Sequence, residues 1–264
     1  MCDHAKNGHI QGTDYIRFGS GSRTLVMLPG LGDGLQTVKG MALPMAWMYR
    51  IFAKAFTVYM FSRRQDLPEG HTTRDMARDL AEAMDRLGIA QADILGVSMG
   101  GMIAQWLAID HPEKVNRLIL AVTASRPNPI LEDAVREWMD LARQGDHGAF
   151  MDSNVRMIYS DAYYRKNRFL IPLMGKLTKP RSYRRFLILA EACLQHDTFS
   201  RLSEIRHQTL IIGGEQDRAL GVRASREMAA QIPNAALKLY PQWGHGLYEE
   251  AKDFNQVVLD FLTT

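Results

Sequence analysis

The stretch Asp93-Ile94-Leu95-Gly96-Val97-Ser98-Met99-Gly100-Gly101-Met102 decides how the chain is read. A short apolar run enters Gly96-x-Ser98-x-Gly100, and Met102, Ile103, Trp106 and Leu107 follow at helical spacing. Gly-x-Ser-x-Gly between a strand and a helix has the form of a nucleophile elbow. The turn is tight enough that side chains beside the serine would collide, hence a glycine on each flank. The hydroxyl then stands clear of the backbone, and the following helix aims its N–H groups and positive dipole end at that point. An inert serine in a tight turn carries the same local pattern, so the reading depends on partners elsewhere in the chain.

On the N-terminal side of the elbow, 10–18 alternates weakly and ends at Gly19-Ser20-Gly21-Ser22, as a strand or hairpin arm and a turn do. Residues 24–28 and 56–61 are continuous apolar runs, the pattern of strands buried on both faces. Helical spacing over 45–54 lies between them, and a charged loop over 62–70 follows. Thr72 or Thr73 can cap a helix ending at Leu87, with Met76, Leu80, Ala83, Met84 and Leu87 as its apolar stripe and Gly88 as its stop. Strands are expected over 92–97 and 115–122, on either side of a helix over 99–110. This alternation predicts an α/β fold with a mostly parallel central sheet flanked by helices.

From Ser125 the pattern changes. Four helical segments (131–143, 149–158, 161–174 and 182–195) occupy 126–200 without a convincing strand. A strand over 209–212, a helix over 222–231, a strand over 236–240 and a helix over 249–262 complete the chain. The expected organisation is a flexible tail over 1–9, a core over 10–125 and 201–264, and an all-helical insertion over 126–200.

The 264 residues suffice for a large core, and 46% hydrophobic with 23% charged residues is ordinary for a globular protein. A net charge of +3 is too small to argue for nucleic acid. No window approaches about 18 uninterrupted apolar residues, so no membrane span is expected. Residues 1–8 lack the apolar core of a secretory leader, which predicts a cytoplasmic location. Cys2 and Cys193 have no Cys-x-x-Cys partner, so neither a metal nor a redox site is expected. His4 and His9 with Cys2 read as part of the tail.

A serine hydroxyl needs a base. Among eight histidines, His71 and His147 lie in polar loops, His111 ends the elbow helix, and His196 and His207 flank the seam between insertion and core. His245, in Gln242-Trp243-Gly244-His245-Gly246, follows the last strand at the sheet edge that also carries Ser98. Sites in open α/β sheets form outside the carboxyl ends of the strands. The chain order serine, acid, histidine then selects Asp217, after the penultimate strand. Glu215 is its competitor and Asp197 a distant third; Thr123, Ala124 and Ser125, after Val122, offer no acid. Two backbone donors for an oxyanion are expected at Met99, next to the serine, and at Leu31, in the glycine-rich loop after the strand over 24–28. That loop, Gly30-Leu31-Gly32-Asp33-Gly34, fails the Gly-x-Gly-x-x-Gly spacing of a dinucleotide site, and no cofactor is expected.

Ser98, Asp217 and His245 in this order, with Leu28-Pro29-Gly30-Leu31-Gly32 early and Trp243-Gly244-His245 late, resemble the α/β-hydrolase superfamily over about residues 10 to 262. The resemblance implies that 126–200 is a cap over the active site. The nearest look-alikes are small carboxylesterases, enol-lactonases and carbon–carbon bond hydrolases. Most relatives carry His-Gly where this chain has Pro29-Gly30, so no imidazole is available here to order the oxyanion loop. A serine at position 98 speaks against haloalkane dehalogenases and epoxide hydrolases, which use aspartate. The expected activity is hydrolysis of a small ester, lactone or related carbonyl compound through an acyl-enzyme. The same triad serves acyltransferase, lyase and carbon–carbon hydrolase chemistry, and the same fold serves ligand receptors. The run Arg165, Lys166, Arg168, Lys176, Lys179, Arg181, Arg184 and Arg185 reads as a solvated face; one or two arginines turned inward would suit an anionic substrate. Trp138, Met139, Met151, Met157, Tyr163, Tyr164, Phe169, Met174 and Phe186 would suit an adaptable apolar pocket or the insertion's own core.

Overall fold

The computed structural model describes residues 5–264. One sheet of eight strands organises them, in the order β1-β2-β4-β3-β5-β6-β7-β8. The strands are β1 Lys6–Ile10, β2 Thr13–Phe18, β3 Arg23–Leu28, β4 Phe56–Arg64, β5 Ala92–Val97, β6 Val115–Ala121, β7 Gln208–Gly214 and β8 Ala235–Tyr240. β1 and β2 pair antiparallel, as do β2 and β4; every pairing from β4 to β8 is parallel. The helices are α1 Ala42–Met48, α2 Thr73–Arg86, α3 Met99–Asp110, α4 Pro129–Gln144, α5 His147–Ile158, α6 Asp161–Asn167, α7 Ile171–Thr178, α8 Arg184–Leu194, α9 Val222–Gln231, α10 Leu247–Glu250 and α11 Phe254–Thr263.

Successive strand residues serve opposite faces, because side chains alternate across a pleated sheet. Val26, Leu28, Ile94, Leu118 and Ile211 pack against α2, α3 and α9, through Met84, Leu107 and Met228 among others. Leu25, Met27, Leu95, Ile119 and Ile212 pack on the other face, against α1 and α11, through Ala46, Phe254 and Val258. Both faces are covered, which is why these strands read as unbroken apolar runs. Of the two expected caps for α2, Thr72 is the one used, and it forms a capping box: its hydroxyl accepts from the N–H of Asp75, whose carboxylate accepts from the N–H of Thr72.

The N-terminal expectation needs correcting. A flexible tail was expected over 1–9, but Lys6–Ile10 form β1, paired with β2 through the tight turn at Gln11-Gly12, where both φ angles are positive. His9 Nδ1 meets Asp14 Oδ1 at 2.8 Å, and the Asn7 side chain accepts from the N–H of Gly40. The Asn7–Gly40 bond, between residues 33 positions apart, carries no signal in local sequence. Cys2 and His4 lie outside the described residues. The expected helix over 161–174 is two helices, α6 and α7, because Pro172 begins a new helix more readily than it continues one. The helix expected over 249–262 likewise divides, at Ala251, into α10 and α11.

Between β6 and β7 the chain leaves the sheet for α4 to α8. This excursion packs through Leu131, Val135, Trp138, Phe150, Phe186 and Leu189, which are continuous with the core on the α2–α3 face. It returns over the carboxyl ends of the parallel strands. Among the described residues no helix is long and apolar enough to cross a membrane.

Candidate active site

Three strand ends supply the polar groups. β5 ends at Val97, and Ser98 turns the chain into α3 with φ 53° and ψ −122°. That conformation is sparsely populated for a residue with a side chain and is kept only where the surroundings impose it. Here Ser98 N donates to Ala121 O at 2.9 Å, and the Thr123 hydroxyl donates to Ser98 O at 2.7 Å. The flanking glycines are required by contact: a Cβ on Gly100 would stand 2.1 Å from Leu28 O, and one on Gly96 would stand 2.5 Å from Gly100 O. The elbow is therefore wedged between β3 and its own helix.

His245 and Asp217 come from the loops after β8 and β7, and backbone bonds knit those loops together. Glu215 N donates to Tyr240 O at 3.0 Å and Gln216 N to Trp243 O at 3.1 Å. His245 Nε2 lies 3.0 Å from Ser98 Oγ, and His245 Nδ1 lies 2.9 Å from Asp217 Oδ2. Asp217 Oδ1 accepts from the N–H groups of Ala219 and Leu220, each at 2.9 Å. Burial would raise the Asp217 carboxyl, but the neighbouring His245 and these N–H groups together hold it below the usual carboxylate range. An ionised carboxylate on Nδ1 leaves Nε2 free to take a proton from the serine. Asp217 and His245 are both buried, at 4% and 5% side-chain exposure, so bulk water does not compete for this pairing.

The competing acids are occupied elsewhere. Glu215 pairs with Arg226 at the surface, and Asp197 accepts from the N–H of Phe199. Four of the other histidines have separate partners. His71 meets Asp79, His207 meets the carbonyl of Pro112, and His147 packs between Phe150 and Tyr183. His196 is sealed against Thr73 and Thr198, and burial pushes its imidazole down to about 3.

The loop after β3 approaches the serine closely: a Cβ on Gly30 would stand 3.8 Å from Ser98 Oγ. Leu31 and Met99 flank Ser98 in one small recess, and neither N–H has a protein acceptor among the described residues. Pro29 puts no imidazole here, but arginine does the ordering. The Arg63 guanidinium donates to the Pro29 carbonyl, and the Arg63 N–H donates to Asp33 Oδ2 at 3.0 Å. Arg185, from α8, donates to the carbonyl and carboxylate of Asp33, to Arg63 O at 2.9 Å and to Arg64 O at 3.0 Å. Asp33 is 1% exposed and Arg185 14%, so this is a buried ionic clamp across the loop.

Arg185 is thus the one member of the basic run that turns inward, and it serves the loop. The other seven are exposed. A cavity of about 440 Å³ opens over Ser98 and His245, and no lysine or arginine lines it among the described residues. Trp138, Phe150 and Phe186 contribute from the excursion, and Met27, Met45, Met48 and Met60 from the core.

Sequence reasoning missed the supports. Gln105 Nε2 donates to the carbonyls of Gly101 and Ala124, and the Thr198 hydroxyl donates to Gln105 Oε1 at 2.7 Å. A fully buried glutamine on a helix otherwise apolar all round was the available signal, since such a group must be satisfied. Thr123 and Arg63 carried none, because their partners are distant in sequence.

The comparisons agree with this architecture. The profile of the alpha/beta hydrolase fold family matches residues 23–252. The chain is 30% identical over 253 residues to 2-hydroxymuconate semialdehyde hydrolase of Pseudomonas sp. (strain CF600), covering 90% of this chain and 86% of that one. It is 27% identical over 201 residues to a proposed carbamate hydrolase, RutD, of Caulobacter vibrioides, covering 75% of each. The solved enol-lactonase of Burkholderia xenovorans LB400 superposes with a TM-score of 0.81 at 23% identity, over 98% of this chain and all of that one; at that identity the likeness concerns the fold. By sheet order, by the placement of its elbow and by this match over most of its length, the chain belongs to the α/β-hydrolase fold family.

Proposed function

We propose that the chain is a serine hydrolase acting on a small ester, lactone or related carbonyl compound. The observation that carries this reading is the hydrogen-bonded series Ser98–His245–Asp217, at 3.0 and 2.9 Å, on the wall of a cavity large enough for a small molecule. Ser98 Oγ attacks the carbonyl carbon while His245 Nε2 takes its proton. The carbonyl oxygen becomes an oxyanion against the N–H groups of Leu31 and Met99. His245 returns the proton to the leaving group as the carbon–leaving-group bond breaks. Water, deprotonated by His245, then cleaves the acyl-enzyme. Asp217 holds the imidazole in the tautomer with Nδ1 protonated. The helices over 126–200 act as the cap that closes the cavity.

The test is labelling by a fluorophosphonate, mapped by mass spectrometry, beside turnover of a short p-nitrophenyl ester. Label on Ser98, with turnover lost in Ser98→Ala, is expected. Full turnover in that variant would sink the proposal.

Carbon–carbon bond hydrolysis is the second reading, favoured by the 30% identity to the semialdehyde hydrolase. A muconate carries a carboxylate, and among the described residues no lysine or arginine lines this cavity to receive it. The ester-type reading is therefore preferred, and direct assay of 2-hydroxymuconate semialdehyde separates the two.

A further inference from the structure

Tyrosines aside, the acidic and histidine side chains that line the cavity are Asp33, His245 and Glu249. The first two are committed, Asp33 through Oδ2 to the Arg63 N–H and to an ion pair with Arg185, its buried Oδ1 having no partner among the described residues, and His245 to Ser98 and Asp217. Glu249 is different. Its Oε2 accepts from the Tyr159 hydroxyl at 2.7 Å, while Oε1 has no protein donor among the described residues. It forms no ion pair there either. The adjacent Glu250 is spent on the N–H and hydroxyl of Ser160, at 2.9 and 2.6 Å. The Arg218 guanidinium is spent on Asp161 and the Tyr159 carbonyl, at 2.9 and 2.8 Å.

Aromatic rings line the cavity with this carboxylate. Tyr49, Tyr159 and Tyr248 all do so, and all three phenols are driven up, first by burial and then by the charge of Glu249. Neither the Tyr49 nor the Tyr248 hydroxyl has a protein partner among the described residues. Glu249 is accessible by area, yet burial raises its own carboxyl, against the donation from Tyr159 and with Glu250 adding to the rise. The two facts agree if its free surface is cavity surface, in reach of a ligand and mostly walled from bulk water. Ring faces are attractive to a cation, and more so when it is desolvated. Carboxylate and phenol oxygens add acceptors for N–H donors.

We propose that Glu249, with Tyr49, Tyr159 and Tyr248, forms a binding site for a protonated amine carried by the substrate. The site selects for an alkylammonium group, over a neutral alkyl group and strongly over a carboxylate. This deepens the serine hydrolase reading and rests on it for the word substrate; the binding site itself does not depend on turnover.

The experiment uses hexylamine, hexanol and hexanoate as matched probes at neutral pH and constant ionic strength. Binding is measured by calorimetry on the wild-type protein and on Ser98→Ala, and as competition against p-nitrophenyl acetate turnover. Hexylammonium is expected to bind about tenfold more tightly than hexanol, the scale of a desolvated cation–π and ion-pair contact, with hexanoate weakest. Glu249→Gln, which keeps the shape and removes the charge, brings hexylammonium and hexanol within about twofold; Glu249→Lys reverses the order of hexylammonium and hexanoate. Hexanoate binding as tightly as hexylammonium to the wild type, no saturable binding of hexylammonium, or an intact preference in Glu249→Gln each overturns the proposal. Selective binding in a protein that turns over no ester would leave this site standing and sink the hydrolase reading alone.

Discussion

The strand ends and the helical excursion build opposite walls of one cavity, and they are held by different forces. Ser98, Asp217 and His245 stand on parallel strands whose ends are fixed by ladder bonds and by loop-to-loop backbone bonds. The excursion is held mainly by side chains: Trp138, Phe150 and Phe186 in apolar contact, Arg185 in a buried ionic clamp, and Asp161 and Ser160 on Arg218 and Glu250 nearer the surface. Backbone pairing tolerates almost any side chain that keeps the pleat, whereas side-chain packing changes with each substitution. The strand ends are suited to fixing the chemistry, and the remaining lining, from the excursion and from α10 alike, to fixing what enters. Substitutions of Ser98, Asp217 or His245 should therefore remove turnover and leave probe preference alone, and substitutions elsewhere around the cavity should shift rate or preference while the reaction persists.

The sharpest break of that division is Ser98→Ala. Turnover is expected to fall by about 10⁴-fold or more, with the melting temperature little changed, because alanine keeps the Cβ and the positive φ and loses only the contact with His245 Nε2. Next is Asp217→Asn, which permits the wrong imidazole tautomer. A fall in kcat on the order of 10³–10⁴ is expected with the fold intact by circular dichroism. A decrease of less than tenfold would remove Asp217 from its proposed role and reopen Glu215.

Arg185→Leu tests the excursion side. It leaves Asp33 buried with half of its clamp gone, a change that typically costs about 3–5 kcal/mol of stability. If the clamp positions the Leu31 N–H, kcat for p-nitrophenyl acetate drops about 10- to 100-fold with little change in KM. Arg185→Lys should not rescue it, because one ammonium cannot meet Asp33, Arg63 O and Arg64 O together. A change in KM alone would instead place Arg185 in substrate binding.

A smaller effect belongs to the seam where the two walls join. His196 has its folded-state value pushed down to about 3, against about 6.5 for an unfolded imidazole. The unfolded chain thus takes up the proton first. This contribution to stability is complete above about pH 6.5 and is lost progressively as the pH falls toward 3. Thermal melts across that window should show a slope that His196→Gln flattens. Smallest is the behaviour of Cys193: burial pushes its thiol up to about 12, so iodoacetamide at pH 8 should leave it unmodified in the folded protein.

The same contrast explains what could be read from residues alone. Gly96-x-Ser98-x-Gly100, Asp217 and His245 were legible because each sits at a strand end, and strand ends are visible as the places where apolar runs stop. The alternation of strands and helices carried the sheet for the same reason. The clamp was not legible. Asp33 read as one residue of a glycine-rich loop, Arg63 as the start of a charged loop and Arg185 as the last of a basic run, yet the three meet across as many as 152 positions. Glu249 was read as the first turn of a long terminal helix; it belongs to the short α10, which directs it to the cavity. Contacts of this kind are properties of the folded surface, and no local period announces them.

The Arg185 clamp has a mechanical consequence. Its guanidinium spans α8, the loop after β3 and the end of β4, so these three pieces move as one body or the bonds break. Lifting α8 to widen the cavity withdraws the donors from Asp33 and slackens the backbone on which Leu31 depends. Under the proposed role of the Leu31 N–H, a widened cavity and a held oxyanion loop would exclude one another, and turnover would require the clamp closed.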